Sequence, residues 1–307
     1  MACVFNKQLL HPRNWLTWFG LGILWLIVQL PYPLLHFIGT SAGRLSRRFL
    51  KRREHIARRN IELCFPEMSP AARETLIDQN FMSLGMGLIE TGMAWFWSDE
   101  RVKKWFDVEG MVNLNNALSE QKGVMVVGVH FMSLELGGRT MGLCRPMMAT
   151  YRPHNSPLME WVQTRGRLRS NKAMIDRRNL SGLVHALKSG EAVWFAPDQD
   201  YGAQRSIFVP LFGVPAATVT ATSKFARMGR AQVIPFTQQR LANGQGYRVQ
   251  IHPPLRDFPT DNEEADCLRI NQWVEQAINA CPEQYLWAHR RFKTRPQGEP
   301  KLYKKKR

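Results

Sequence analysis

The second half of the chain keeps switching between two periods, and that alternation limits the folds open to it. Four apolar runs are strand-sized and bounded by turn residues: VMVVGV after Gly123, MMATY after Pro146, AVWFA after Gly190-Glu191 and QVIPF from Ala231. Helical patterns lie between them over 134–143, 158–168, 180–188 and 218–228, the third of these ended by Gly190. Strands apolar on both faces need cover on both sides. The pattern therefore predicts an α/β layered domain, a mixed sheet flanked by helices. A last helix is expected from the acidic 261–264 to about 280, its carboxylates suiting the positive end of the dipole. The first hundred residues read as helical: a basic helix over 44–63, then one that Ser69-Pro70 caps and starts, running toward Trp97.

The amino end is built for hydrocarbon. Between Arg13 and Arg44 there is no Lys, Arg, Asp or Glu, and Trp15 to Leu30 reads WLTWFGLGILWLIVQL before continuing through PYPLLHFIG. As a helix those residues rise about 24 Å, short of a hydrocarbon core of roughly 30 Å, so a spanning and a half-inserted anchor both remain open. No small-x-small cleavage site follows, which argues against a signal peptide. Beyond it come Arg44, Arg47, Arg48, Lys51, Arg52, Arg53, Arg58 and Arg59, against only Lys7 and Arg13 before. The positive-inside rule then keeps the body cytoplasmic. The same run suits anionic headgroups, at about 1 kcal/mol per basic residue near the surface, or forms a solvated helix face. Trp15, Trp18 and Trp25 would serve as interfacial anchors. The expected division is an anchor over 1–43, a main domain over 44–296 and a basic tail over 297–307 ending in a disordered KLYKKKR.

The net charge of +17 requires an anionic partner: nucleic acid, lipid or acidic protein. Nucleic acid is set aside, because the basic residues lack interleaved aromatics or a named binding motif. The five cysteines, at 3, 64, 144, 267 and 281, form no C-x-x-C pair, which points to a reducing compartment and no structural metal.

His130 stands where the strand 124–129 ends, and strand ends are where ligands gather in such folds. Glu135 follows in HFMSLE. An imidazole with one nitrogen toward a hydroxyl and the other held by a carboxylate is a general base. Eight histidines and 25 acidic residues in 307 positions leave fewer than one such spacing expected by chance, yet the chain has two, His130 with Glu135 and His252 with Asp257. Context separates them. His252 opens HPPLRD after the polar alternation YRVQI, in a loop stiffened by two prolines, and is read as the decoy. A strand-end histidine is also an ordinary packed residue, and Glu135 an ordinary helix-start acid. No GxSxG, H-E-x-x-H, Walker A loop or G-x-G-x-x-G accompanies the pair.

Arg165, Arg167 and Arg169 in TRGRLRSNK converge on one anion if that segment is extended, and otherwise make a solvated basic face. Asp198 and Asp200 in WFAPDQDYG leave another apolar strand at the same edge, placed to orient the arginines or a histidine, or to cap a turn. An apolar anchor, a basic apron and a histidine base together fit acyl transfer onto an amphiphile at a membrane surface, with no acyl-enzyme required.

Across nearly its whole length the chain resembles the late acyltransferases of lipid A biosynthesis, the Kdo2-lipid IVA lauroyl/palmitoleoyl transferases of Gram-negative bacteria. The resemblance is carried by HPRNWLTWFGLGILWLIVQLPYP, NIELCFPEM, GLIETGMAWFW, GVMVVGVHFMSLELGGR, YRPHN, RGRLRSNK, EAVWFAPDQDYG and PEQYLWAHRRFKTRP. HFMSLE by itself indicates only the wider H-x4-D/E glycerolipid acyltransferases, with Glu where Asp is commoner. The resemblance implies an enzyme at the bacterial inner membrane, facing the cytoplasm. It would move an acyl chain from acyl carrier protein to a hydroxyl of a hydroxyacyl chain on Kdo2-lipid IVA, without a cofactor. It implies His130 and Glu135 as the catalytic pair and roles for Arg167 and Asp198, to which Arg169 is added as a neighbour for substrate binding. The acidic carrier, the phosphates and carboxylates of the acceptor and anionic lipid would all meet the positive charge. An apolar groove would hold the donor chain, each methylene contributing about 0.8 kcal/mol, and MMATYRPHN and FDVEG lean toward the palmitoleoyl branch. Two other readings remain, a glycerophosphate-type lysophospholipid acyltransferase and a non-catalytic adaptor at the membrane surface.

Overall fold

The four apolar runs become strands that lie side by side in a computed structural model, which describes residues 5–303. The sheet has seven strands in the order β1 (Phe106–Glu109), β9 (Tyr247–Ile251), β8 (Gln232–Arg240), β2 (Val124–Val127), β5 (Ala192–Phe195), β3 (Met148–Tyr151), β4 (Ala173–Asp176). Every neighbouring pair is parallel except β8 with β9. All of β2 is buried. Its Val124 and Val126 pack with Met141, Ile234 and Phe236 on one face, while Met125 and Val127 pack with Leu183, Leu187 and Phe225 on the other. Helices α7 (Leu134–Cys144), α8 (Pro157–Arg167) and, outside them, α4 (Pro70–Phe96) cover the first face. The second is covered by α9 (Leu180–Lys188) and α10 (Ala221–Gly229). This is the expected α/β mixed sheet flanked by helices.

Five strands carry no apolar-run signal. Two of them, β1 and β4, are four-residue edge strands with polar ends, FDVE and AMID. The separate hairpin of β6 (Ser206–Leu211) and β7 (Val214–Val219) pairs Pro210 with Pro215, residues that read as strand breakers until they sit together at a free edge. That hairpin corrects the expected helix over 218–228: Thr218 and Val219 finish β7, and α10 starts at Ala221. The long final helix α11 (Glu263–Ala280) is capped by Asn262, whose side chain accepts from the N–H groups of Glu264 and Ala265.

The amino end is folded onto the body. Helix α1 (Trp15–Ile27) is followed at Pro31 by α2 (Tyr32–Ser46), which runs through the expected 43/44 boundary, and both pack on α4. The α2 and α4 backbones are in contact. A Cβ on Gly43 would lie 2.2 Å from the Phe81 carbonyl oxygen, and one on Gly85 would lie 2.2 Å from that of Gly39. Only glycine allows such a crossing, and Gly39 and Gly43, four residues apart, present the stripe that makes it. Among the described residues no helix is long and apolar enough to cross a membrane. The outer faces of these helices nevertheless remain bare, with Leu16 82%, Phe19 67%, Leu26 61% and Phe37 67% exposed.

Much of the basic run is already matched by carboxylates. Arg44 meets Asp78 at 2.9 Å, Arg47 lies between Glu54 at 3.0 Å and Glu74 at 2.6 Å, and Arg58 pairs with both of those glutamates. The run therefore ties α2, α3 (Lys51–Cys64) and α4 together as well as facing outward. In the tail expected to be disordered, Leu302 and Tyr303 pack against the core and the Tyr303 hydroxyl accepts from the Phe292 N–H at 3.0 Å. Residues 1–4 and 304–307 lie outside the described residues.

Candidate active site

The end of β2 delivers His130 through Gly128 and Val129. Gly128 is required there, since a Cβ would lie 2.6 Å from the Trp194 Nε1 on β5. The neighbouring strand β5 ends just before Asp198, so two strands 68 residues apart bring the imidazole and this carboxylate together. The His130 backbone N–H donates to Asp198 Oδ2 at 3.0 Å, and Nδ1 lies 2.6 Å from Oδ1. Asp198 is buried. Burial raises its carboxyl, but the charge and hydrogen bonds of His130 prevail and hold it below the ordinary aspartate range. An ionised carboxylate only accepts, so Nδ1 is the donor in this contact.

A strap from the carboxyl end fixes the loop. The Met132 N–H donates to the Gln284 carbonyl at 2.8 Å, the Leu286 N–H donates to the His130 carbonyl at 3.1 Å, and the Tyr285 hydroxyl donates to the Asp198 carbonyl at 3.3 Å. His289 follows, and burial pushes it down to about 4 against the opposing pull of Asp198, so it is neutral near pH 7. Asp200 locks the next turn, accepting from Gly202 N–H at 2.9 Å and from Thr294 N–H at 2.6 Å. Tyr285 and His289 were not singled out in the sequence, although both lie in the segment PEQYLWAHRRFKTRP that carries the resemblance.

Glu135 faces the same cavity as His130 but is engaged elsewhere. It starts α7 and receives Arg167 from the end of α8 in a fork, with Nε to Oε2 at 3.1 Å and Nη2 to Oε1. Burial raises the Glu135 carboxyl, and the charge and hydrogen bond of Arg167 more than offset this, leaving it below the ordinary glutamate range. The carboxylate that holds the His130 ring is thus Asp198. Five residues along a turn and a helix start point Glu135 at α8 instead.

The three arginines do not converge, because the segment is helical through Arg167. Arg165 stacks over Trp161, with the guanidinium carbon 5.2 Å from the ring centroid, and Arg167 takes Glu135. Arg169 donates to the Trp95 carbonyl at 2.7 Å and approaches Asp99 at 3.8 Å. The decoy His252 lies in a separate cavity, with Nε2 3.1 Å from the Thr237 hydroxyl.

Three cavities lie at or beside this site. One of about 290 Å³ lies on the α7/α8 side and is lined by His130, Glu135, Arg139, Arg167 and apolar residues including Met141, Met147 and Phe236. Beside it, against α1, is an aromatic one of about 570 Å³ that contains Trp18, Trp25, Trp161 and Arg169. The third, of about 690 Å³, opens on the other side of His130 toward α9 and α10. His130 is common to the first and third, so an imidazole able to take up and release a proton stands between two chambers large enough for ligands.

The model of the bacterial lipid A biosynthesis acyltransferases matches residues 2–294. The chain belongs to that family. As a lipid A biosynthesis acyltransferase it is 62% identical over 302 residues to a lipid A biosynthesis palmitoleoyltransferase of Escherichia coli, covering 98% of both chains. It is 51% identical to the lipid A biosynthesis lauroyltransferase of the same organism, over 97% of this chain and 98% of that one. A solved structure, the 1-acyl-sn-glycerophosphate acyltransferase PlsC from Thermotoga maritima, is a distant likeness with a TM-score of 0.38 and 13% identity, covering 78% of this chain and 98% of the other.

The Glu135–Arg167 fork makes stability depend on pH in a set direction. A carboxyl lowered on folding contributes stability above its unfolded value of about 4.3 and loses that contribution as the pH falls through the folded value. Urea unfolding of wild type and Glu135→Gln should therefore differ most near neutral pH and converge as the pH falls below the ordinary glutamate range.

Proposed function

We propose that the protein transfers a palmitoleoyl or lauroyl chain from acyl carrier protein to a hydroxyl on a hydroxyacyl chain of Kdo2-lipid IVA. It would do so at the cytoplasmic face of the bacterial inner membrane. The observation that carries this reading is His130, oriented by Asp198, at the junction of an apolar and a basic cavity. Family membership and the names of the relatives support the substrates, and the higher identity to the palmitoleoyltransferase favours that chain.

In this reading His130 Nε2 takes the proton of the acceptor hydroxyl as its oxygen attacks the thioester carbonyl. The tetrahedral intermediate collapses with loss of the carrier thiolate, which recovers the proton from the imidazolium, leaving ester and free carrier thiol. Asp198 holds the ring and stabilises its charged form. Glu135 holds the Arg167 guanidinium at the cavity wall, where a cation is available to the developing oxyanion. No cofactor enters this chemistry. The donor chain lies in the apolar part of the α7/α8 cavity. Arg169, beside the aromatic cavity against α1, serves the acceptor's anionic groups. The bare faces of α1 and α2 lie in the membrane interface rather than across it, beneath anionic lipid.

Purified protein offered acyl carrier thioesters with both Kdo2-lipid IVA and lysophosphatidic acid should acylate the former, the product mass giving the chain. His130→Ala should abolish turnover, and Asp198→Asn should lower kcat by about 10² to 10⁴-fold with the fold retained. Product on lysophosphatidic acid alone would refute the proposal. Replacing Leu16, Phe19 and Leu26 together by Ser should release the folded protein from anionic vesicles. Undiminished binding at high salt would rule out the interfacial anchor.

A further inference from the structure

The cavity on the α9/α10 side differs in character from the other two. Its rim carries Arg152, Arg177, Arg178, Arg205 and Lys293, all exposed, from the loops that follow β3, β4 and β5 and from the carboxyl-terminal strap. The charges there are poorly matched. Arg178 meets Asp176 at 2.6 Å and Lys293 lies 3.9 Å from Asp200, whereas Arg152, Arg177 and Arg205 have no carboxylate within ion-pair distance among the described residues. Much of the run at 44–59, by contrast, is matched by Glu54, Glu62, Glu74 and Asp78. Three arginines without a carboxylate partner among the described residues thus stand together around the second entrance to His130.

Location decides what that charge would meet. The bare apolar helices α1 and α2 lie beyond α4 and α8, on the opposite side of the sheet. A lipid acceptor would reach His130 from that side, where the aromatic cavity against α1 adjoins the α7/α8 cavity at Trp95 and Gly166. The α9/α10 entrance has fewer bare apolar side chains than those helices: of its described lining residues, the large hydrophobics left exposed are Leu180 at 39% and Tyr201 at 41%. It therefore suits a water-soluble anion joined to a chain narrow enough to reach the imidazole.

We infer that this basic cavity is the docking site for the acyl carrier protein. Arg177 and Arg205 would meet its acidic surface, and the phosphate-bearing thioester arm would pass through the cavity to His130. The inference rests on the carrier-protein donor proposed above. The two substrates then approach one base from opposite faces of the sheet, and complementary charge governs donor capture.

The test compares two donors with the same acyl chain, one on acyl carrier protein and one on free pantetheine, using the full-length protein and its Arg177→Glu/Arg205→Glu variant. The expected result is a fall in kcat/KM of about ten-fold or more for the carrier-bound donor relative to the pantetheine thioester, shrinking as salt is added. Arg177→Gln/Arg205→Gln should show a smaller fall of the same kind, and it replaces the first variant if charge reversal prevents folding. Equal losses with both donors would overturn the inference. So would a rise in the KM for acceptor instead, which would make the cavity a headgroup site. Wild-type protein that uses the pantetheine thioester but never the carrier-bound one would sink the donor reading itself, a failure visible before any substitution.

Discussion

One buried carboxylate organises the site. Asp198 accepts two N–H groups from a single residue, the His130 backbone and its ring, so it fixes the loop and the imidazole plane together. A carboxylate taken out of water without partners would be costly, and here the histidine supplies them. That contact depends on the parallel pairing of β2 with β5, on Gly128 letting Trp194 approach and on the carboxyl-terminal strap beneath both loops. Loss of any of these would move the imidazole relative to the carboxylate that holds it.

In the proposed reaction the sheet keeps the two substrates on separate sides. Strands apolar on both faces must be covered on both faces, so the helices divide into one set that carries the amino-terminal apolar surface and another beside which the loops after β3, β4 and β5 hold three unmatched arginines. His130, at a strand end near the middle of the sheet, is reached from either set. An amphiphilic acceptor and a charged soluble donor differ in just this way, which makes the architecture suited to joining them.

The central strands were legible because complete burial leaves unbroken apolar runs such as VMVV and AVWF. Edge strands such as FDVE, half solvated, have no such signature, and the prolines of β6 and β7 disguised a hairpin. His130 could be found because it leaves one of those buried runs. Its partner could not be read from spacing. Residues close in sequence are turned by local helix geometry, which sends Glu135 to Arg167, while the carboxylate that reaches the ring arrives from a neighbouring strand 68 residues away. The convergence expected of Arg165, Arg167 and Arg169 failed for the same reason, since a helix fans out side chains that an extended chain would bring together.

The most direct measurement of this account is the nitrogen-15 resonance of the His130 imidazole near neutral pH, in wild type and in variants of its two candidate carboxylates. The account requires a protonated Nδ1 and an unprotonated Nε2, a preference lost in Asp198→Asn and kept in Glu135→Gln. An Nε2–H tautomer in the wild type, or a preference that follows Glu135 and ignores Asp198, would contradict it.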